Sequence, residues 1–224
     1  MRSIVLLTIS CLLLLATNLY SQEARLDKSK LEPVQVAMSI EKLMGKEAVR
    51  VVKDAAVREF DEPTFVRIRG IDFRDGTVEM KVLSRLLKDA PDFARGFIGV
   101  AFRINDSNTA FESIYIRPTN ARADDQVRRN HSIQYFAYPD HKFDRLRKES
   151  PERYESYSDM ALNEWITMKI VVSGQEARLY LNNNRQPSLV VNDLKMGADA
   201  SGAIGLWVDV GTEGFFTDLK VYPN

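Results

Sequence analysis

Apolar and polar residues alternate with a period of two along most of the chain. In the stretch GFIGVAFRI, Ile98, Val100, Phe102 and Ile104 fall on one side and Phe97, Gly99, Ala101 and Arg103 on the other. In WITMKIVV, Ile166, Met168, Ile170 and Val172 alternate with Trp165, Thr167, Lys169 and Val171. Each pattern predicts a strand with one core face. Comparable runs fall at 48–52, 65–68, 77–83, 113–117, 132–137, 177–181, 188–191, 203–210 and 215–221. Turn residues divide them, including Asp75-Gly76, Ser173-Gly174, Asn182-Asn183-Asn184 and Ser201-Gly202. Short strands at this spacing, with no amphipathic helix between them, predict two antiparallel sheets packed as an all-β sandwich.

Two segments interrupt the alternation. Residues 83–95 predict a short helical turn before Pro91 and otherwise a surface loop. Residues 141–163 are charged and tyrosine-rich, with one helical turn expected at 144–148. A connection of that length in a compact domain is a binding or covering loop, or a solvated insertion at the sandwich edge.

The amino terminus follows a different rule. After Arg2 comes an apolar run through Leu15, closing on small and polar residues, which predicts a secretory signal peptide over 1–21. The run is shorter than the roughly 20 apolar residues of a membrane span, so no span is expected in the mature chain of 22–224, read as a single domain. The only cysteine, Cys11, lies inside this run, which removes disulfides and thiolate chemistry from the mature protein. The expected location is secreted or periplasmic. Lys+Arg and Asp+Glu are equal at 31 each, and no net field draws the chain to nucleic acid.

The segments GFIGVAFRIND, FESIYIRPTNARADDQVRRNHSIQYFAYPD, LNEWITMKIVVSGQEARLYLNNNRQPSLVVNDLK and GAIGLWVDVGTEGFFTDLKVY resemble the secreted concanavalin A-like lectin and glucanase domains. Among these the chain is most similar to the bacterial 3-keto-disaccharide hydrolase-like group, which overlaps with family 16-like glycoside hydrolases and laminin G-like modules. The resemblance covers 41–222 and implies a jelly-roll sandwich, with the last two segments, GAIGLWV and GFFTDLKV, as its final core strand pair. It also implies a carbohydrate ligand. The Glu-x-Asp-x-x-Glu strand motif of family 16 glucanases is absent, so no catalytic residues are carried over.

In residues 111–118, Ile114 and Ile116 suit the core and send Phe111, Ser113, Tyr115 and Arg117 to the opposite face. The next strand likewise presents Gln134, Phe136 and Tyr138 there, with Arg103 joining from the preceding strand. Arg103, Tyr115, Arg117, Gln134 and Tyr138 therefore make a candidate sugar platform, in which planar polar groups meet hydroxyls and aromatic rings cover C–H faces. Asn120 and Arg122 extend it into a loop that also carries Asp124, Asp125, Arg128, Arg129 and Asn130. These loop residues suit rim contacts or clamps on an acidic sugar, or an internal network pinning the loop.

The available acids are Glu79, Glu112, Asp209, Glu213 and Asp218, none paired by spacing, so catalytic residues stay unassigned. His131 is a candidate acid or base, and its ten-residue separation from His141 gives no metal spacing. No metal or cofactor is expected. Trp165 and Trp207 point away from the core set, toward a sugar or beneath a covering loop. Three functions remain open: glycan binding, glycoside hydrolysis of the 3-keto-disaccharide type, and a structural or protein-interaction role.

Overall fold

A computed structural model describes residues 27–224; the signal peptide expected at 1–21 lies outside the described residues. Within them the chain forms two seven-stranded antiparallel sheets. The first runs β1 (Leu31–Val34), β4 (Phe65–Phe73), β13 (Gly202–Val208), β6 (Ile98–Ile104), β7 (Phe111–Ile116), β8 (Ile133–Tyr138) and β9 (Glu155–Ser156). The second runs β12 (Leu189–Val191), β11 (Glu176–Leu181), β10 (Ile166–Ser173), β5 (Gly76–Leu86), β14 (Thr212–Pro223), β3 (Lys46–Lys53) and β2 (Val36–Leu43). The expected sandwich is therefore present. β13 and β14 do not pair with each other: one lies in each sheet, so close that a Cβ on Gly214 would meet Val208 at 2.5 Å.

Strands of the second sheet keep the alternation of a half-buried strand, as in β10, where Ile166, Met168, Ile170 and Val172 are buried and Thr167, Lys169 and Val171 are not. β6 and β7 behave otherwise, because every residue in both is buried. Their inner residues, Ile98, Val100, Ile114 and Ile116, form part of the main core. The outer face carries an aromatic layer: Phe65 meets Phe111 at 5.3 Å, Phe136 meets Trp207 at 5.3 Å, and Tyr115 meets Trp207 at 4.7 Å between ring centroids. Gly99 lets Tyr115 lie across the strand beside it, since a Cβ there would come within 2.5 Å of the tyrosine's own Cβ.

Residues 54–64 and 139–163 cover this layer. The second contains α3 (Phe143–Glu149), preceded in the chain by α1 (Pro118–Ala121) and α2 (Gln126–Asn130). The turn expected at 144–148 is thus a seven-residue helix, whereas 83–95 holds no helix, because β5 continues to Leu86. Trp207 donates from Nε1 to the Glu62 carbonyl at 2.9 Å, and Thr64 Oγ1 donates to the Val208 carbonyl at 2.6 Å. Glu62 forms an ion pair with Lys142, which joins the two covering segments. Among the described residues no helix is long and apolar enough to cross a membrane.

The alternation that would place Arg103 beside Tyr115 breaks at a bulge. Between β13 partners Ala203 and Gly205, β6 advances from Ile104 to Ala101, and Arg103 takes a φ of 54°. Its side chain turns inward to Glu112 (3.1 Å) and across to the carbonyls of Arg74, Gly174 and Gly197, joining the ends of both sheets. Glu112 also accepts from the Tyr135 hydroxyl at 2.6 Å. Both members of this ion pair are wholly buried, and removing one leaves an uncompensated charge. Arg103→Ala is expected to cost about 3–5 kcal/mol, read as a lowered urea midpoint. Loss of under about 1 kcal/mol would show that Arg103 does not hold the sheet ends together.

Candidate functional site

The cover stops short over the carboxyl end of β7 and the adjoining amino end of β6 and leaves a cavity of about 250 Å³ above Tyr115 and Arg117. One wall is aromatic. Phe60 meets Phe93 edge to face at 5.7 Å and Phe143 at 6.1 Å. Phe93 is 51% exposed and Phe60 36%, so this rim presents an apolar edge to solvent.

A second part of the lining is basic and is formed by Arg95, Arg117, Arg128 and Arg147, of which Arg117 and Arg147 pack on the Phe143 ring. Arg117 is held between the Tyr115 and Phe143 rings, with its Cζ 5.1 and 5.4 Å from their centroids. It donates to the Tyr115 hydroxyl at 2.6 Å, to Gln134 Oε1 at 3.3 Å and to Glu155 at 3.2 Å. Burial pushes the Tyr115 phenol well above its ordinary range, so it stays neutral and accepts this bond. Glu155 also receives both arms of the Arg147 guanidinium and lies 3.4 Å from His131. Burial, partly offset by Glu155, holds the His131 imidazole below its ordinary pKa.

Two aspartates from distant parts of the chain also line the cavity. Asp209 follows β13, forms a buried ion pair with Lys53 of β3, and accepts the backbone amide of Asp61 at 3.0 Å. Asp61 in turn accepts the backbone amide of Phe143 at 2.7 Å. The Asp61 backbone adopts a φ of 53°, uncommon outside glycine and found where neighbouring contacts enforce it. Burial first, and the charge of Asp209 second, raise its carboxyl pKa from 3.8 to about 7. The site thus sets a carboxyl that is neutral below about pH 7 beside an ion-paired carboxylate, an arrangement able to donate a proton or bind a hydroxyl from either side.

Of the residues expected on the sugar platform, Tyr115, Arg117 and Asn120 line the cavity. Asn120 sits in α1, donates to the His131 carbonyl at 3.0 Å and accepts from Arg128 Nε at 3.0 Å. Gln134 lies beneath Arg117, wholly buried, and donates to the Tyr135 carbonyl at 2.7 Å. Tyr138 stacks on Phe111 at 5.3 Å, outside the cavity, with Lys142 over its ring. Arg122 is exposed and forms a two-pronged pair with Asp159 at 2.8 and 3.0 Å. Arg103 belongs to the sheet ends, as above.

Among the acids, Glu112 is tied to Arg103, Glu213 to Arg50, and Asp218 to Lys46 and Lys81, while Glu79 lies on the second sheet with Asp218. Only Asp209 of that set reaches the cavity. Trp207 is buried under the cover, and Trp165 packs beside Leu83 and Phe215. Asp61, Phe60, Phe93 and Arg95 lie in irregular segments that no periodicity marks. The isolated phenylalanines in otherwise polar loops were the available signal. Among the described residues no three His, Cys, Asp or Glu side chains are grouped to hold a metal ion.

No family model and no curated protein matches the chain. Solved structures do match. A carbohydrate-binding module, CBM66, from Bacillus subtilis is similar with a TM-score of 0.53 and 12% identity, over 85% of this chain and 97% of that one. A protein of unknown function with a galectin-like fold, also from Bacillus subtilis, is similar with a TM-score of 0.55 and 12% identity, over 91% and 94%. At such identities the likeness is one of fold: both are sandwiches of the lectin-like kind.

The raised pKa of Asp61 has a consequence for stability. Between about pH 4 and 7 the folded state holds a proton that the unfolded state has released, so this group's contribution to stability falls as pH rises through that window. Asp61→Asn keeps an acceptor for the Phe143 amide and removes the charge. The variant is expected to match the wild type at pH 4 and to exceed it at pH 8, by an amount on the order of 4 kcal/mol. His131 and His141 oppose the trend below pH 6.5 in both proteins and cancel in the difference. Chemical denaturation of the two proteins at both pH values checks this, and equal stabilities at pH 8 would contradict the assignment.

Proposed function

We propose that this chain is an exported glycan-recognising domain, with its saccharide seated in the cavity over Tyr115 and Arg117. The observation that carries the reading is the pairing of two exposed phenylalanines, Phe60 and Phe93, with a floor of fixed polar groups. A pyranose ring has the same duality, with C–H faces that stack on aromatic rings and hydroxyls that need donors and acceptors in fixed positions. Asn120, Asp61 and the arginines supply both kinds of group, and a cavity of about 250 Å³ suits one ring, with others extending over the rim. The likeness of fold to a carbohydrate-binding module is consistent with this reading.

A second reading rests on Asp61 and Asp209. A proton-holding carboxyl beside an ion-paired carboxylate is the minimum equipment for acid-assisted cleavage of a glycosidic bond, with Asp61 as the acid. The resemblance to the 3-keto-disaccharide hydrolase-like group names the substrate to try first.

Phe93 stands mostly in solvent, so Phe93→Ala should leave the melting temperature within about 2 °C while weakening glycan affinity on the order of tenfold, measured by titration calorimetry. Unchanged affinity for a bound glycan would move the ligand off this rim. For the hydrolytic reading, Asp61→Asn is expected to abolish release of glucose from a 3-keto-disaccharide while the ligand still binds. Absence of turnover in the wild type leaves glycan binding as the function.

A further inference from the structure

The cavity holds more positive charge than its own carboxylates neutralise. Four guanidinium groups line it, and the acids around them are already committed. Glu155 serves Arg117, Arg147 and His131, and Asp209 serves Lys53. Arg95 and Arg128 have no carboxylate within 4.0 Å among the described residues. Asp92 gives Arg95 only its backbone carbonyl, at 2.6 Å, and Asp125 accepts the backbone amide of Arg128 rather than its side chain. Arg128 spends one nitrogen on Asn120, leaving its outer nitrogens without a protein acceptor there.

Arg117, although paired with Glu155, leaves one donor unused beside them. It is 4% exposed, yet its Nε is buried with no acceptor, the kind of unsatisfied buried donor that native structures seldom leave without a ligand or water. The three groups also feel one another, since burial together with the charges of Arg128 and Arg117 holds the Arg95 guanidinium below its ordinary pKa. The buried arginines are matched, Arg117 by Glu155 and Arg103 by Glu112 and Asp75, whereas Arg95 and Arg128 are not. Arg95 and Arg128, half-buried on one cavity and without a counter-charge, form a receptor for an oxyanion, which their planar forks can grip by two parallel bonds.

We infer that the saccharide bound here carries an acidic group, a carboxylate or a sulfate, seated on Arg95 and Arg128 beside Arg117 while its ring lies against Phe60 and Phe93. The inference rests on the glycan reading and adds the class of ligand. Arg147 stays with Glu155 and frames the pocket without gripping the acid. Asp61 and Asp209 also line the cavity and would meet the neutral hydroxyls of the same ligand.

The test is a glycan array with matched acidic and neutral oligosaccharides, followed by titration of the chain with digalacturonate, a sulfated galactobiose and galactobiose. At least one acidic ligand should bind roughly tenfold or more tightly than galactobiose, with the advantage shrinking as salt rises. The better acidic ligand tells carboxylate from sulfate. Arg95→Gln, Arg128→Gln should erase the advantage with the melting temperature maintained. The Arg95→Lys, Arg128→Lys pair, which keeps charge and loses the fork, should retain part of it. Binding confined to neutral glycans overturns the acidic-group inference and leaves glycan recognition standing. Acidic binding unaffected by the double glutamine variant overturns the assignment to these arginines. No binding to any glycan overturns both readings together.

Discussion

A sheet with large aromatic rings on its outer face cannot be left facing water, and that constraint organises the rest of the molecule. Phe65, Phe111, Phe136 and Trp207 are all buried, although they stand on the side of β4, β7, β8 and β13 that faces away from the second sheet. Burying a ring of this size contributes roughly 2–3 kcal/mol, which is what makes the long covering segments worth ordering. Segments 54–64 and 139–163 are therefore part of the fold, anchored by the bond from Trp207 to Glu62 and by the pair of Glu62 with Lys142. The cavity opens at their margin, where Phe60 and Asp61 of one segment and Phe143 and Arg147 of the other meet residues of the loops around Arg95 and Arg128.

This origin explains why the site is so rich in strained and charged features. Asp61 holds a left-handed backbone conformation and a carboxyl that resists ionising, both unfavourable for the fold taken alone. Arg117 is sandwiched between two rings, with one nitrogen unmatched. Such costs are of the kind that gather at functional sites, and here they fall on the cavity proposed to bind a glycan. By contrast, the Arg103 and Glu112 network at the other end of the sandwich satisfies its members and is structural.

The strands were legible in the sequence because each has an inner face with regular apolar residues, and Ile98, Val100, Ile114 and Ile116 met there as expected. Their opposite face misled for a physical reason. Tyr115, Arg117 and Gln134 alternate as solvent-facing residues do, yet they are nearly or wholly buried, because burial under a cover leaves the same period of two as exposure. Arg103 escaped because a single bulge residue reverses side-chain direction and has no signature in composition. β1 and β2, at the sheet edges, were not anticipated; β2 has no fully buried residue to set a pattern. Asp61 could not be found from sequence, since its meaning comes from Asp209, 148 positions away.

The relay from Lys53 through Asp209 and Asp61 to the Phe143 amide passes from the second sheet, through the end of the first, into one covering segment and on to the helix of the other. Its last bond changes character with the protonation of Asp61: an ionised carboxylate grips an amide more tightly than a neutral carboxyl does, while the same ionisation sets Asp61 against Asp209. Proton uptake by Asp61 thus acts on two contacts of opposite sign at once, weakening its bond to the first residue of helix α3 while relieving its repulsion from Asp209.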